Sequence, residues 1–168
     1  MNLMHLIAAT VALTLACSAG AQLKPSTSKP PLTPPSAESA AKADGPATAA
    51  SVVEAKEAAA QAAAEKWLAL LDRGEFGKAW DETAKLFRER VKRQQWVDGL
   101  PATRNPFGSM KSRKFELAVY KTSLPGAPDG EYVTMRFITT FEKKSDAEEL
   151  LTLALEDGAW RATGYLIK

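Results

Sequence analysis

Hydrophobic and polar positions alternate most regularly towards the end of the chain. Over residues 132–141 the odd positions Val133, Met135, Phe137 and Phe141 are apolar, and Thr134, Arg136 and Thr140 alternate with them. That is the period of two of a half-buried strand, with Ile138 as the exception on the polar side. After the polar stretch 142–147, Leu151, Leu153 and Leu155 again hold odd positions. Asp157-Gly158 then supplies the two positive-φ positions of a type I′ hairpin loop. Such a turn sets Glu156 opposite Ala159, and by subtraction Leu155 faces Trp160, Leu153 faces Ala162 and Leu151 faces Gly164, all on one side. The other side pairs Ala154 with Arg161, Thr152 with Thr163 and Leu150 with Tyr165. Gly164 inside a strand marks a bend or bulge. This register puts Arg161 and Tyr165 on the face away from the leucines.

Upstream the period changes. Ser51-Val-Val-Glu54 has the form of a capping box, and Ala60, Ala64, Trp67, Leu68 and Leu71 then fall on one face of an Ala-rich helix that Gly74 should stop. Residues 75–104 read as short helices with Phe76, Trp80, Phe87, Val91, Trp96 and Leu100 as core positions, and Gly99-Leu100-Pro101 is expected to loosen the last. The loop 105–108 breaks the pattern. Residues 114–122 form a strand in which Phe115, Leu117 and Val119 alternate with Glu116 and Tyr120. Helices followed by strands predict an α+β domain over 51–168, with N-terminal helices packed on a curved antiparallel sheet of about four strands.

The first 50 residues follow neither pattern. Residues 1–21 contain no Asp, Glu, Lys or Arg, their apolar run 6–16 is too short to span a bilayer, and Ala19-Gly20-Ala21 offers a small-residue cleavage site. This predicts a signal peptide cut before Gln22 and a periplasmic or secreted product with no transmembrane helix in its mature form, although the usual early Lys or Arg is absent. Cys17 offers a competing reading as a lipoprotein attachment site, with Thr14 standing where Leu is preferred. Residues 22–50, with Lys29-Pro30-Pro31 and Thr33-Pro34-Pro35, read as a disordered, partly polyproline linker.

Composition removes more chemistry than it suggests. The net charge of +2 over 168 residues favours no particular partner, and the lone Cys17 and lone His5 both fall in the leader. A mature chain without either residue excludes Ser-His-Asp and Cys-His nucleophiles, thiol redox chemistry and ordinary zinc, haem or iron–sulfur ligation, so no metal or cofactor is expected. Carboxylate-only catalysis stays open, but Glu148-Glu149 and Glu156-Asp157 are expected at strand ends and turns, in water. No Gly-rich phosphate loop opens a helix. Residues 85–114 carry nine Lys or Arg against Glu89 and Asp98. Solvated helix faces account for such an excess, and an anionic lipid head group or glycan is the alternative; nucleic acid is not an expected partner.

Several segments resemble an uncharacterised bacterial family, the domain-of-unknown-function 4019 family. They are Ala64-Glu-Lys-Trp67-Leu with Asp72-Arg-Gly74, Trp80, Phe87-Arg88, Trp96, Arg104-Asn-Pro-Phe-Gly108, Arg113, the run 124–132, Phe141, Asp157-Gly-Ala-Trp-Arg161 and Gly164-Tyr165. The resemblance implies a cone-shaped α+β fold similar to nuclear-transport-factor-2-like and cystatin-like domains, usually exported, and no established activity. Trp67, Trp80, Trp96 and Trp160 are first of all core residues. A cone would nonetheless leave a pocket, and Trp80, Trp96, Arg113, Arg161 and Tyr165 are the candidate residues for binding an anion there. Three readings follow: an exported, non-enzymatic domain binding a small ligand or an envelope protein; an enzyme using carboxylates or Tyr; and a homodimer formed through the sheet.

Overall fold

A computed structural model describes residues 48–168. The expected signal segment, Cys17 and the linker up to residue 47 lie outside the described residues. Helix α1 (Ala49–Asp72) starts two residues before Ser51: Thr48 is the N-cap, its hydroxyl accepting from the Ser51 amide at 3.3 Å. Ser51 donates its own hydroxyl to the Thr48 carbonyl instead of capping. The helix buries Ala60, Ala64, Trp67, Leu68 and Leu71 as the spacing predicts, and Leu70 as well. It ends in a Schellman motif at Gly74, with Gly74 N–H donating to Leu71 O and Glu75 N–H to Leu70 O.

Helices α2 (Phe76–Asp81), α3 (Lys85–Arg90) and α4 (Arg93–Arg104) follow. Three indoles pin these segments together: Trp67 Nε1 donates to Ala79 O, Trp80 Nε1 to Val91 O and Trp96 Nε1 to Phe76 O, at 2.8–3.0 Å. Of the core positions expected here only Leu100 is buried; Phe76, Trp80, Phe87, Val91 and Trp96 are half-buried, since α2 and α3 are only six residues long and α4 buries only Leu100 and Arg104. Pro101 does not loosen α4, which runs on to Arg104. The penalty of an internal proline, about 3 kcal/mol, is met by tertiary anchoring of the buried Leu100 and Arg104 on either side of it.

A 3-10 turn (Asn105–Phe107) leads into the sheet, an antiparallel meander in the order β1 (Met110–Lys121), β2 (Tyr132–Phe141), β3 (Ala147–Glu156), β4 (Ala159–Ile167). Val133, Met135, Phe137, Leu151 and Leu153 form one core with the buried stripe of α1, so the fold is α+β with helices on one face of the sheet. Each such side chain contributes about 1.5–3 kcal/mol through burial.

Asp157 (φ 51°) and Gly158 (φ 77°) form the I′ turn, and Glu156, Leu155, Ala154 and Leu153 pair with Ala159, Trp160, Arg161 and Ala162 as the turn requires. The next pairs depart from the even count. A bulge at Thr163 sets Gly164 opposite Thr152, Tyr165 opposite Leu151 and Leu166 opposite Leu150. One extra residue turns Tyr165 onto the helix-facing side, correcting the face expected for it. Replacing Gly158 with Val is expected to lower stability by about 1–3 kcal/mol, since a β-branched residue is strained at that φ although the site has open space. An unchanged urea midpoint would show that the turn is of another type.

A second bulge, at Glu116 in β1, corrects the expected alternation in the same way. Phe115 faces the helices, but beyond the extra residue Ala118 and Tyr120 take the inner face, and Leu117 and Val119 turn outward, 41% and 42% exposed. Each edge strand has one backbone group engaged by the helical layer. Glu57 of α1 accepts the Tyr120 amide of β1 at 2.8 Å, and the Ala162 carbonyl of β4 accepts from the Ala84 amide at 2.8 Å.

Candidate functional site

Inner-face parity brings four charges to one end of the sheet. Arg113 pairs with Thr139 across β1 and β2, and Glu149 of β3 stands on the same face as Leu151 and Leu153. Asp72 closes α1 and Arg104 closes α4, and both reach this point. Arg104 Nη2 donates to Asp72 Oδ1 (2.7 Å) and Nη1 to Glu149 Oε1 (3.0 Å). Arg113 Nε donates to Glu149 Oε2 (2.7 Å), and its two Nη groups take both Asp72 oxygens (2.8 and 2.9 Å). Thr139 and Tyr165 hydroxyls donate to Glu149 at 2.5 and 2.6 Å, and Arg104 Nη1 also reaches the Tyr165 oxygen.

Glu149 is fully buried, and Arg104, Arg113 and Asp72 keep 7, 10 and 12% of their side-chain surface, so the expectation of a solvated Glu149 is overturned. Two cations and two anions leave the cluster neutral. Burial works against ionising Glu149, but the Arg113 guanidinium and the two hydroxyls outweigh it and hold its carboxyl below the ordinary range. Burial, followed by the adjacent Glu149 carboxylate, pushes the Tyr165 phenol up. For Arg113 burial is again overcome, by Asp72 and Glu149, and its pKa rises.

Beside the cluster opens a cleft of about 400 Å³, a size that suits a small ligand. Asp72 and Arg104 form its buried side, and Leu71, Phe76 and Met110 its apolar wall; Asn105, Ser109, Glu142 and Lys143 stand at its exposed side. Gly108 (φ +76°) is a close crossing, where a Cβ would lie 2.9 Å from that of Glu142.

The five residues selected from sequence do not meet in one cavity. Arg113 and Tyr165 belong to the charge cluster. Trp96 packs on Trp67 (6.0 Å between centroids) and edge-on to Phe87 (5.2 Å), and Tyr165 meets Trp67 edge-on at 5.7 Å. Trp80 is tied to Val91, and Arg161 lies on the other face of β4, 3.9 Å from Glu156. None of the five lines the cleft. Asp72, Arg104, Thr139 and Glu149 were not among the sequence candidates, yet strand parity carries the signal for two of them: Glu149 is in phase with Leu151, and Thr139 with Phe137 and Phe141. Among the described residues no three Asp, Glu, His or Cys side chains gather as a metal site would need, and no helix is long and apolar enough to cross a membrane.

The fold and site together define a class: a small α+β domain in which helices cap one face of an open four-stranded sheet, with a buried ion cluster where they meet. The chain belongs to the family described as protein of unknown function (DUF4019), whose model matches residues 63–165. That span holds all six residues of the buried cluster. No curated protein and no solved structure matches the chain.

Proposed function

We propose that this chain is an exported, non-enzymatic binding domain whose binding feature is the cleft beside the charge cluster. The observation that carries this reading is how fully the cluster is paired. Asp72 and Glu149 converge, as a carboxylate enzyme would need, but each is bonded by both guanidiniums. Glu149 is held ionised, and the Tyr165 phenol is held protonated. Neither is poised to exchange a proton near neutral pH, which is what general acid–base work requires. The cluster instead makes a rigid floor for a site. Export is supported by the uncharged apolar leader and its small-residue cleavage site.

Self-association through the outer sheet face is a second reading. Leu117, Val119 and Leu166 are 41, 42 and 50% exposed there, and the Arg136 Nε is buried without a hydrogen-bond partner. Native mass spectrometry of protein purified from its own envelope fraction tests both readings. The expected spectrum shows a mass starting at Gln22 without an acyl chain and a small adduct that is lost in a cleft-filling Ser109→Trp variant. A doubled mass abolished by Leu166→Asp would support the dimer. An uncleaved chain would overturn export, and an adduct retained by Ser109→Trp would overturn the cleft.

A further inference from the structure

We infer that the cleft takes a small zwitterion, of which an α-amino acid with an apolar side chain is the archetype. The inference rests on the reading of the cleft as the binding feature. Its buried side makes no demand for an ion, because Asp72 and Arg104 are paired with each other at 2.7 Å and with Arg113 and Glu149. The unmet charge lies on the turn between β2 and β3. Glu142 and Lys143 both line the cleft, and among the described residues neither has an ion-pair partner. Successive residues of a strand point to opposite faces, but these two follow the end of β2 and both pass over Gly108, with Glu142 Cβ and Lys143 Cγ at 2.9 and 3.5 Å from the position of a Cβ there.

The Glu142 carboxylate accepts only a long hydrogen bond from the Ser109 amide (3.5 Å), and with the Lys143 ammonium on the same lip, neither in an ion pair, it matches a ligand that carries both charges a few ångströms apart. An anion alone would face Glu142, and a cation alone would face Lys143; either leaves a like charge opposed. Arg104 spends Nη1 and Nη2 on the cluster, so charge recognition in the cleft falls to Glu142 and Lys143. Phe76 and Met110 offer the apolar wall that a side chain would cover.

Isothermal titration of the full chain tests this with L-leucine and L-phenylalanine, the cation L-leucine methyl ester, the anion N-acetyl-L-leucine, and glucose. The amino acids are expected to bind at least tenfold more tightly than either single-charge analogue. Glu142→Ala should abolish the advantage over the acetylated form and Lys143→Ala the advantage over the ester. Gly108→Ala, whose Cβ would lie 2.9 Å from that of Glu142 and so must displace it, should weaken the amino acids at least tenfold. Circular dichroism checks that each variant is folded. Analogues or glucose binding as tightly as the amino acids, and weakened by Gly108→Ala, would overturn the zwitterion while keeping the cleft. Binding indifferent to all three variants, or none with any probe, would overturn both.

Discussion

Replacing Glu149 with alanine is expected to lower the free energy of unfolding by about 3–5 kcal/mol, read as a lower urea midpoint at an unchanged slope. Removing this one carboxylate leaves two buried guanidiniums sharing Asp72 alone, a net positive charge, and leaves the Thr139 and Tyr165 hydroxyls without their acceptor. The penalty is that of unpaired buried charge, and it exceeds the net worth of the intact cluster. Exchanging Asp72, Arg104, Arg113 and Glu149 together for apolar residues of similar size should therefore destabilise less than Glu149→Ala alone, a strong departure from additivity. Acid pH gives a second readout. Because the folded-state pKa of Glu149 is depressed, its contribution is complete above the unfolded value of about 4.3 and is lost as pH falls through the folded value. Over that acid window the gap between wild type and Glu149→Gln should narrow. A loss below about 1 kcal/mol for Glu149→Ala would show that water enters the cluster and replaces the missing oxygens.

Trp67→Ala is expected to destabilise by a comparable amount, about 3–5 kcal/mol, for a different reason. Trp67 is 4% exposed, its indole N–H holds the Ala79 carbonyl at 2.8 Å, and its ring touches those of Trp96 and Tyr165. The truncation leaves both a cavity and an unsatisfied carbonyl where α1 meets α2. Trp67→Phe should recover much of the packing but not the bond. Equal losses for the two variants would assign the whole effect to the hydrogen bond.

Legibility in the sequence followed the range of each interaction. The Asp157-Gly158 hairpin could be read because a two-residue turn and a period of two are both local, and four pairs came out in register. Tyr165, Leu117 and Val119 could not be placed, because each lies just past a bulge, and one inserted residue reverses every later side chain without altering composition. Glu149 reads as solvated because acids usually belong in water. Its partners Arg104 and Arg113 stand 45 and 36 residues away. The alternation that placed Leu151 and Leu153 inward already placed Glu149 inward too, so the pattern was present and the habit of the residue type overruled it. The cleft left no local signal at all: its walls come from the ends of α1 and α4, the starts of α2 and β1 and the turn after β2.

The engaged and bulged edges of the sheet limit how copies of this domain can meet. An open sheet normally offers its outer strands as templates for further strands, the route to fibrils and swapped assemblies. Here one donor of β1 is taken by Glu57 and one acceptor of β4 by Ala84, and each edge carries a bulge. Ladder growth is interrupted on both sides. Edge-to-edge polymerisation is therefore disfavoured for this sheet.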